Sequence, residues 1–300
     1  MYKIQFSYSP VYELITSLYT YINIKQHKNG EMTKQWKEET KQTLTKQFAD
    51  ELENEKWEVL HRTVLLISKC PKNQSVEDFL SWFENISTGE LYDRLAPWVH
   101  TIPLNLQEIR DKSVYILSEW NDQYFSKLDP TLFSELEQRS KQNEELAKKE
   151  NPSYLLNTVS NGLVLEPTET LNEVILVPQY HMYPYNVLDF HRGMATLLYP
   201  YKKMTPHEEK LESILKKSQG LADKSRLDIL LLLTKGNHTL TSIQEKTGLA
   251  KSTVHHHLTL LGQAGLINRH YYGSSQVAFY SLRPSSVEDL TKHFHSIGLC

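Results

Sequence analysis

The clearest chemistry in this sequence lies on one short segment, residues 250–262. At helical spacing, one face of this segment is apolar, and its members are Val254, Leu258 and Leu261. The other face carries side chains that donate hydrogen bonds, namely Lys251, Ser252, His255, His256 and Thr259. Such donors suit phosphates and the edges of DNA bases. A solvated face on a protein-interaction module is the alternative, and DNA binding is favoured.

Two neighbours of these donors have different expected roles. Thr253 lies in the first helical turn with Ser252, where backbone N–H groups also point towards an anion, so we count Thr253 as a candidate DNA contact. His257 rotates towards the apolar face at about 100° per residue. We therefore expect His257 to be packed and hydrogen-bonded rather than to read DNA.

The flanking elements place this segment in a recognisable order. Residues 224–234 form a strongly apolar helix that ends at Gly236, and Thr239 or Thr241 caps the next helix. Gly248 then makes the turn before 250–262. Two strands follow, with Gly273, Ser274 and Ser275 between them. This order predicts a winged helix-turn-helix, whose second helix enters the major groove.

The two strands form the wing of this module. Arg269, His270, Ser274 and Ser275 are its candidate contacts to phosphate or to the minor groove. Tyr271 and Tyr272 are adjacent in a strand and therefore face opposite sides, so one of them is expected in the core.

The last quarter of the chain resembles the DNA-binding domain of the ArsR family of bacterial transcription regulators. The matching pieces, in order, are LADKSRLDILLLL, LTSIQEKTGLAKSTVHHHLTLLGQAGLI and a strand–turn–strand that ends in FYSL. One departure is Ala250, where such regulators often carry Ser. Ala cannot accept a hydrogen bond as an N-cap, so we expect the start of this helix to be less firmly capped. The opening of the chain, with FSYSP before a helix, also resembles larger ArsR-like regulators that carry a long N-terminal domain of unknown role.

The resemblance implies a homodimer that binds a near-palindromic promoter operator in double-stranded DNA, with repression as the expected output. It also implies that the flanking helix 207–218 dimerises through its apolar stripe of Leu211, Ile214 and Leu215. The N-terminal domain would set spacing, dimerise or sense a signal, and a small-molecule effector is left open.

Some ArsR-like regulators sense metals through Cys pairs on the first helix of the motif, or through His and carboxylates on a C-terminal helix. Here LTSIQEKTG contains no Cys. The tail offers Asp289, His293, His295 and Cys300, but no second ligand set completes a tetrahedron. We expect no metal and no cofactor, and keep a metal-responsive regulator as an alternative.

Catalysis has little support, because the sequence carries none of the common nucleotide, nucleophile or zinc motifs, and we expect no enzyme. The stretch HMYPYNVLDFHRG gathers polar residues that could line a pocket, although ordinary strand and turn residues are favoured. A ligand-binding protein whose winged helix mediates protein contacts is therefore the other alternative.

Composition bounds the setting. The chain has 300 residues and a formal net charge of −3, yet residues 201–300 hold 13 Lys and Arg against eight acidic residues. A basic module on an acidic body suits contact with phosphate through one end.

The two cysteines, Cys70 and Cys300, lie far apart, which favours a reducing cytoplasm. No apolar run approaches the roughly 20 residues that span a bilayer, and the N-terminus lacks the features of a signal peptide.

The expected fold is mostly α with a small β content. Residues 1–200 are predicted to form a helical N-terminal domain that ends in a small antiparallel sheet over 162–201. Residues 200–206 read as a linker, and residues 207–300 as the winged helix-turn-helix domain.

Overall fold

The computed structural model describes residues 2–24, 32–54 and 60–296. The chain divides into two compact units. The N-terminal unit holds residues 1–148 and 170–202, and the C-terminal unit holds residues 149–169 and 203–300. The predicted linker contains the last of these boundaries. Residues 149–169, which we placed in the N-terminal domain, belong instead to the C-terminal unit.

Helices dominate the described residues, as predicted. Those of the N-terminal unit are α1 Pro10–Asn23, α2 Lys34–Thr43, α3 Lys46–Asn54, α4 Leu60–Lys69, α5 Val76–Asn85, α6 Thr88–Leu95, α7 Leu106–Gln123 and α8 Pro130–Ala147. Those of the C-terminal unit are α9 Pro152–Val159, α10 Pro206–Leu221, α11 Lys224–Leu233, α12 Leu240–Thr247, α13 Lys251–Gln263 and α14 Ser285–Ser296. None of the described helices is long and apolar enough to cross a membrane.

The strands form two sheets. In chain order they are β1 Lys3–Phe6, β2 Leu163–Leu165, β3 Glu173–Gln179, β4 Val187–His191, β5 Met194–Pro200, β6 Ile267–Tyr271 and β7 Val277–Leu282. One sheet has the order β1-β3-β5-β4, and the other has the order β2-β6-β7.

The first sheet is mixed, so the prediction of an antiparallel sheet was wrong. β3 runs parallel to β1 and to β5, and β4 alone pairs antiparallel, with β5. β3 and β5 are buried along nearly their whole length, because both of their faces are covered. Strands that are apolar on both faces are typical of parallel pairing, whereas we expected antiparallel pairing.

β2 also lies outside the sheet that we predicted. Leu163, Val164 and Leu165 pair in parallel with Arg269, His270 and Tyr271 of β6. A parallel pair needs a long connection, and here that connection is more than 100 residues of chain. Local sequence patterns carry no signal for such a partner.

Helix α1 is the centre of the N-terminal unit. It begins where Ser9 accepts a hydrogen bond from the Val11 N–H, and Pro10 occupies its first position. Leu14, Ile15 and Leu18 are fully buried and belong to a core shared with helices α3 to α7 and with the first sheet.

The burial of α1 predicts a large effect of truncation at its centre. Leu18→Ala should lower the free energy of unfolding by about 3 kcal/mol, because it removes buried methyl groups and leaves a cavity. The measurement is urea denaturation followed by circular dichroism. The matched control is Leu104→Ala, since the Leu104 side chain is fully exposed and should contribute within about 0.5 kcal/mol. Equal losses in the two variants would contradict the central place of α1.

Candidate nucleic-acid interface

Helix α13 presents one apolar and one polar face. Val254, Leu258 and Leu261 are buried in one cluster with residues of α11, α12 and β6. On the opposite side, Lys251, Ser252, Thr253, His255 and His256 are exposed. Thr259 is half-buried, and its hydroxyl donates to the His255 carbonyl at 2.9 Å. The structure therefore brings five of the six α13 candidates together on an open face.

The turn before α13 depends on a left-handed residue. Gly248 ends α12 with φ +69° and donates its N–H to the Gln244 carbonyl. Thr239 caps the N-terminus of α12, and its hydroxyl accepts from the Ser242 N–H at 3.1 Å. Ala250 gives α13 no side-chain cap, so the first N–H groups of α13 lack the acceptor that a Ser would supply. Helix N-termini of this kind favour anions.

His257 faces inward, as its position predicted. It is 9% exposed, and its Nδ1 has no hydrogen-bond partner among the described residues. The expected packing is therefore present, while a hydrogen bond at that nitrogen is not. His257 takes no part in the open face of α13.

Two titratable groups in the elements that pack around α13 have shifted pKa values. Asp223 caps α11, and the backbone N–H of Arg226, 2.9 Å from its carboxylate, is the main cause that holds the pKa of Asp223 below its usual value. Burial raises the pKa of Tyr280 on β7 to about 12, so this residue stays neutral. Tyr280 also forms a backbone bridge with His238, just before α12.

The residues at the tip of the wing are exposed to solvent. Ser274 and Ser275 are exposed at the turn after Gly273, and Tyr272 is 62% exposed while Tyr271 is half-buried. These positions leave the tip available to a phosphate backbone.

The two basic side chains of β6 are bonded within the C-terminal unit, with Arg269 half-buried and His270 buried. The Arg269 Nη2 donates to the carbonyls of Ser160 and Asn161 at 3.2 and 3.3 Å. His270 is 9% exposed and lies 2.7 Å from a Glu166 carboxylate oxygen and 2.8 Å from the Ser281 hydroxyl. Apart from Ser281 of β7, the partners in these contacts lie in residues 160–166, which we predicted to belong to the N-terminal domain. Arg269 and His270 are thus engaged inside the unit rather than displayed with α13.

One exposed lysine near this face was not singled out from the sequence. Lys246, in the last turn of α12, is exposed beside the turn that leads into α13. The signal was present in LTSIQEKTG, where a Lys precedes the turn glycine by two positions. A cation there adds to the charge that Lys251 brings to the start of α13.

The metal alternative gains no support from the part of the chain that the structure describes. No group of three or more His, Cys, Asp or Glu in that part could hold a metal ion. The side chains of Asp289 and His293, and all of Cys300, lie outside the described residues. His295 is exposed, and its Nδ1 lies 2.9 Å from the Thr291 carbonyl.

The stretch that could have lined a pocket is bonded internally at its first histidine. His181 is 2% exposed, and its Nδ1 lies 2.5 Å from a Glu13 carboxylate oxygen. Its Nε2 lies 3.0 Å from the Tyr124 hydroxyl, which also accepts from Trp36 Nε1 at 3.1 Å. These hydrogen bonds join α1, α2, the residue that follows α7 and the segment that follows β3, which favours a structural role.

The order α11–α12–turn–α13–hairpin, closed by α14, is that of a winged helix-turn-helix. The model of the bacterial regulatory protein arsR family matches residues 223–269. The transcriptional repressor SdpR of Bacillus subtilis is 35% identical over 71 residues, which make up 24% of this chain and 77% of SdpR. A search of solved structures finds NolR from Sinorhizobium fredii, with 24% identity and a TM-score of 0.25, over 33% of this chain and 99% of NolR.

This chain belongs to the ArsR family and is a DNA-binding transcription regulator. The resemblance drawn from the sequence is thereby confirmed for its C-terminal part. Residues outside 223–269 are not covered by the family model.

The turn before α13 yields a prediction about stability. Gly248→Ala should lower the free energy of unfolding by about 1 kcal/mol, because a Cβ is disfavoured in the left-handed region. Among the described residues, no atom beyond the adjoining residues lies within 4 Å of the added Cβ, so we assign the loss to backbone strain. Thermal denaturation measures the effect. Gly89→Ala is the matched control, since its Cβ is equally free of neighbours and its φ is ordinary; a similar loss there would contradict the assignment to strain.

Proposed function

We propose that this chain is a homodimeric repressor that reads an operator through α13. The observation that carries the proposal is the division of α13 into a buried apolar face and an exposed face of hydrogen-bond donors. Nucleic acid offers acceptors on every phosphate and on purine N7 and guanine O6 in the major groove. The exposed face of α13 is rich in hydrogen-bond donors, and the core that buries its other face keeps these donors directed to solvent. Such a face is suited to the acceptors of nucleic acid.

The exposed residues divide into two groups by reach. Lys251, Ser252 and Thr253 lie in the first turn with the uncapped N–H groups, where a phosphate is the natural partner. His255 and His256 lie one turn further on and would face base edges, with Thr259 beyond them. In the wing, the exposed Ser274 and Ser275 would contact the adjacent backbone, and the engaged Arg269 would support the wing rather than touch DNA.

A homodimer is supported by the surface of α10. Leu211 and Leu215 are 44% and 57% exposed on the same face of this helix, and α14 packs beside α10. Burying such a pair against a second copy would place two copies of α13 about one helical turn of DNA apart, roughly 34 Å. That symmetry implies a near-palindromic operator.

Repression is supported by the name of one relative, since SdpR is a transcriptional repressor. A dimer that covers two successive major grooves would occlude a promoter. A cytoplasmic location, and an effector that acts through the N-terminal unit, stay predictions.

The DNA contact can be tested by selecting bound duplexes from a random pool and measuring affinity by fluorescence anisotropy. The wild-type chain should enrich a near-palindrome. Lys251→Ala should weaken binding by about tenfold and reduce the slope of log affinity against log salt by about one, because one phosphate contact is lost. Lys141→Ala, which removes an exposed lysine of α8, is the charge-matched control. No enrichment by the wild type, or equal effects of the two variants, would overturn the proposal.

The dimer can be tested by analytical ultracentrifugation. Leu215→Glu should shift the protein from dimer to monomer at micromolar concentration, because it buries a charge in an apolar contact. Leu231→Glu is the control, since Leu231 on α11 is 62% exposed and lines a groove with Lys246 and Thr247 of α12. A wild-type monomer, or a Leu215→Glu dimer as stable as the wild type, would refute the α10 interface.

A further inference from the structure

The base of the wing is held by a segment that the family model does not cover. We name residues 157–166 the strap; they include the end of α9 and strand β2, and they precede the matched region 223–269 by more than 50 residues. The strap runs alongside β6: its Gly162 carbonyl accepts from the Arg269 N–H at 2.8 Å, and its Glu166 N–H donates to the Tyr271 carbonyl at 2.9 Å.

Asn161 of the strap closes the C-terminal end of α13. Its side-chain Nδ2 donates to the carbonyls of Gln263, at 2.9 Å, and Gly262, at 3.4 Å. These carbonyls belong to the last turn of α13, where the regular helical donors are missing, and the Gly262 carbonyl also accepts from the Gly265 N–H at 3.0 Å. A residue from a distant part of the chain thus satisfies the end of the helix that is proposed to read DNA.

The same residue also holds both strands of the wing. The Asn161 Oδ1 accepts from Arg283 Nη1 at 2.9 Å, directly after β7. The backbone carbonyl of Asn161 accepts from Arg269 Nη2 on β6. One asparagine therefore contacts α13, β6 and the end of β7, the three elements whose relative orientation defines the reading surface.

The backbone around Asn161 is shaped for this contact. Asn161 has φ +53°, which Asn tolerates better than most residues. A Cβ at Gly162 would lie 2.6 Å from the Ile267 carbonyl oxygen, and a Cβ at Gly265 would lie 2.3 Å from Asn161 Oδ1. Both are too close, so glycine is required on each side of the contact. Two glycines and a left-handed asparagine indicate a built junction rather than a chance contact.

From these contacts we infer that Asn161 is a positioning residue for DNA recognition: the strap fixes the angle between α13 and the wing, so that both reach one operator half-site at the same time. This inference rests on the proposed function. Sequence-specific binding needs the helix and the wing in place together, whereas non-specific binding is mainly a matter of charge. Loosening the junction should therefore reduce discrimination between sequences more than it reduces affinity for DNA in general.

The test uses the full chain, the selected duplex and a scrambled duplex of the same length and composition. Asn161→Gly keeps the left-handed backbone and removes all three side-chain amide contacts, two to α13 and one to Arg283. Asn161→Asp keeps an acceptor for Arg283 but loses the donor to α13. In both variants the ratio of selected to scrambled affinity should fall by about tenfold, with scrambled affinity nearly unchanged.

The matched control is Asn85→Gly, which also removes an amide bond to a helix carbonyl, that of Ser81, but within α5 of the N-terminal unit. It should leave the ratio unchanged. Amide hydrogen exchange of Gly265 and Leu266, which donate to the carbonyls of Gly262 and Leu261, should accelerate only in the Asn161 variants. This readout needs no DNA.

The outcomes are separable. A wild-type chain that discriminates, with Asn161 variants that are folded and keep its ratio, would overturn the inference and leave the proposed function standing. A wild-type chain that enriches no sequence would overturn the proposed function and the inference with it. If Asn161→Gly does not fold, the ratio of Asn161→Asp decides. An equal fall in the Asn85→Gly control would show a general effect of stability and would also reject the positioning role.

Discussion

The packing of the apolar face of α13 is the interaction on which the function of this protein depends. Val254, Leu258 and Leu261 are buried against residues of α11, α12 and β6. Because side chains on a helix are fixed in rotation by the backbone, burying one face orients the opposite face outward. The donors of α13 owe their exposure to this core and not to any contact of their own. Each buried side chain of this size contributes roughly 1.5 to 3 kcal/mol, far more than any exposed polar group.

The wing shows how a common module can be modified without changing its order of elements. Its hairpin follows α13 as in the family resemblance, but β6 also pairs in parallel with β2, which becomes the third strand of the sheet. That neighbour brings carbonyl groups and the Glu166 carboxylate to the base of the wing, where they occupy Arg269 and His270. Two basic residues that would suit phosphate are thereby used for internal bonds, so the DNA contacts that we propose are limited to α13 and the tip of the wing.

The N-terminal unit is organised around a buried helix and a mixed sheet. α1 is buried on nearly all sides, and β3 and β5 are buried on both faces. Glu13 of α1 lies inside this core, and it is satisfied by the backbone N–H groups of Tyr180 and His181 as well as by the His181 ring. A buried carboxylate needs such partners, so these bonds fix the end of β3 against α1.

Local patterns were sufficient for the helices of the winged helix-turn-helix, for the turn at Gly248 and for the two faces of α13. Periodicity, caps and glycine act within a few residues, so a single sequence carries them. The pairing of β2 with β6, the parallel direction of β3 and β5, and the inward turn of Arg269 were not accessible in this way. Each depends on residues more than 15 positions apart, and a short apolar strand has the same pattern whichever neighbour it joins. Those partners are determined by the burial and hydrogen bonding of the whole unit. For this reason Arg269 was predicted from the sequence to contact DNA, whereas in the folded chain it donates to the carbonyls of Ser160 and Asn161.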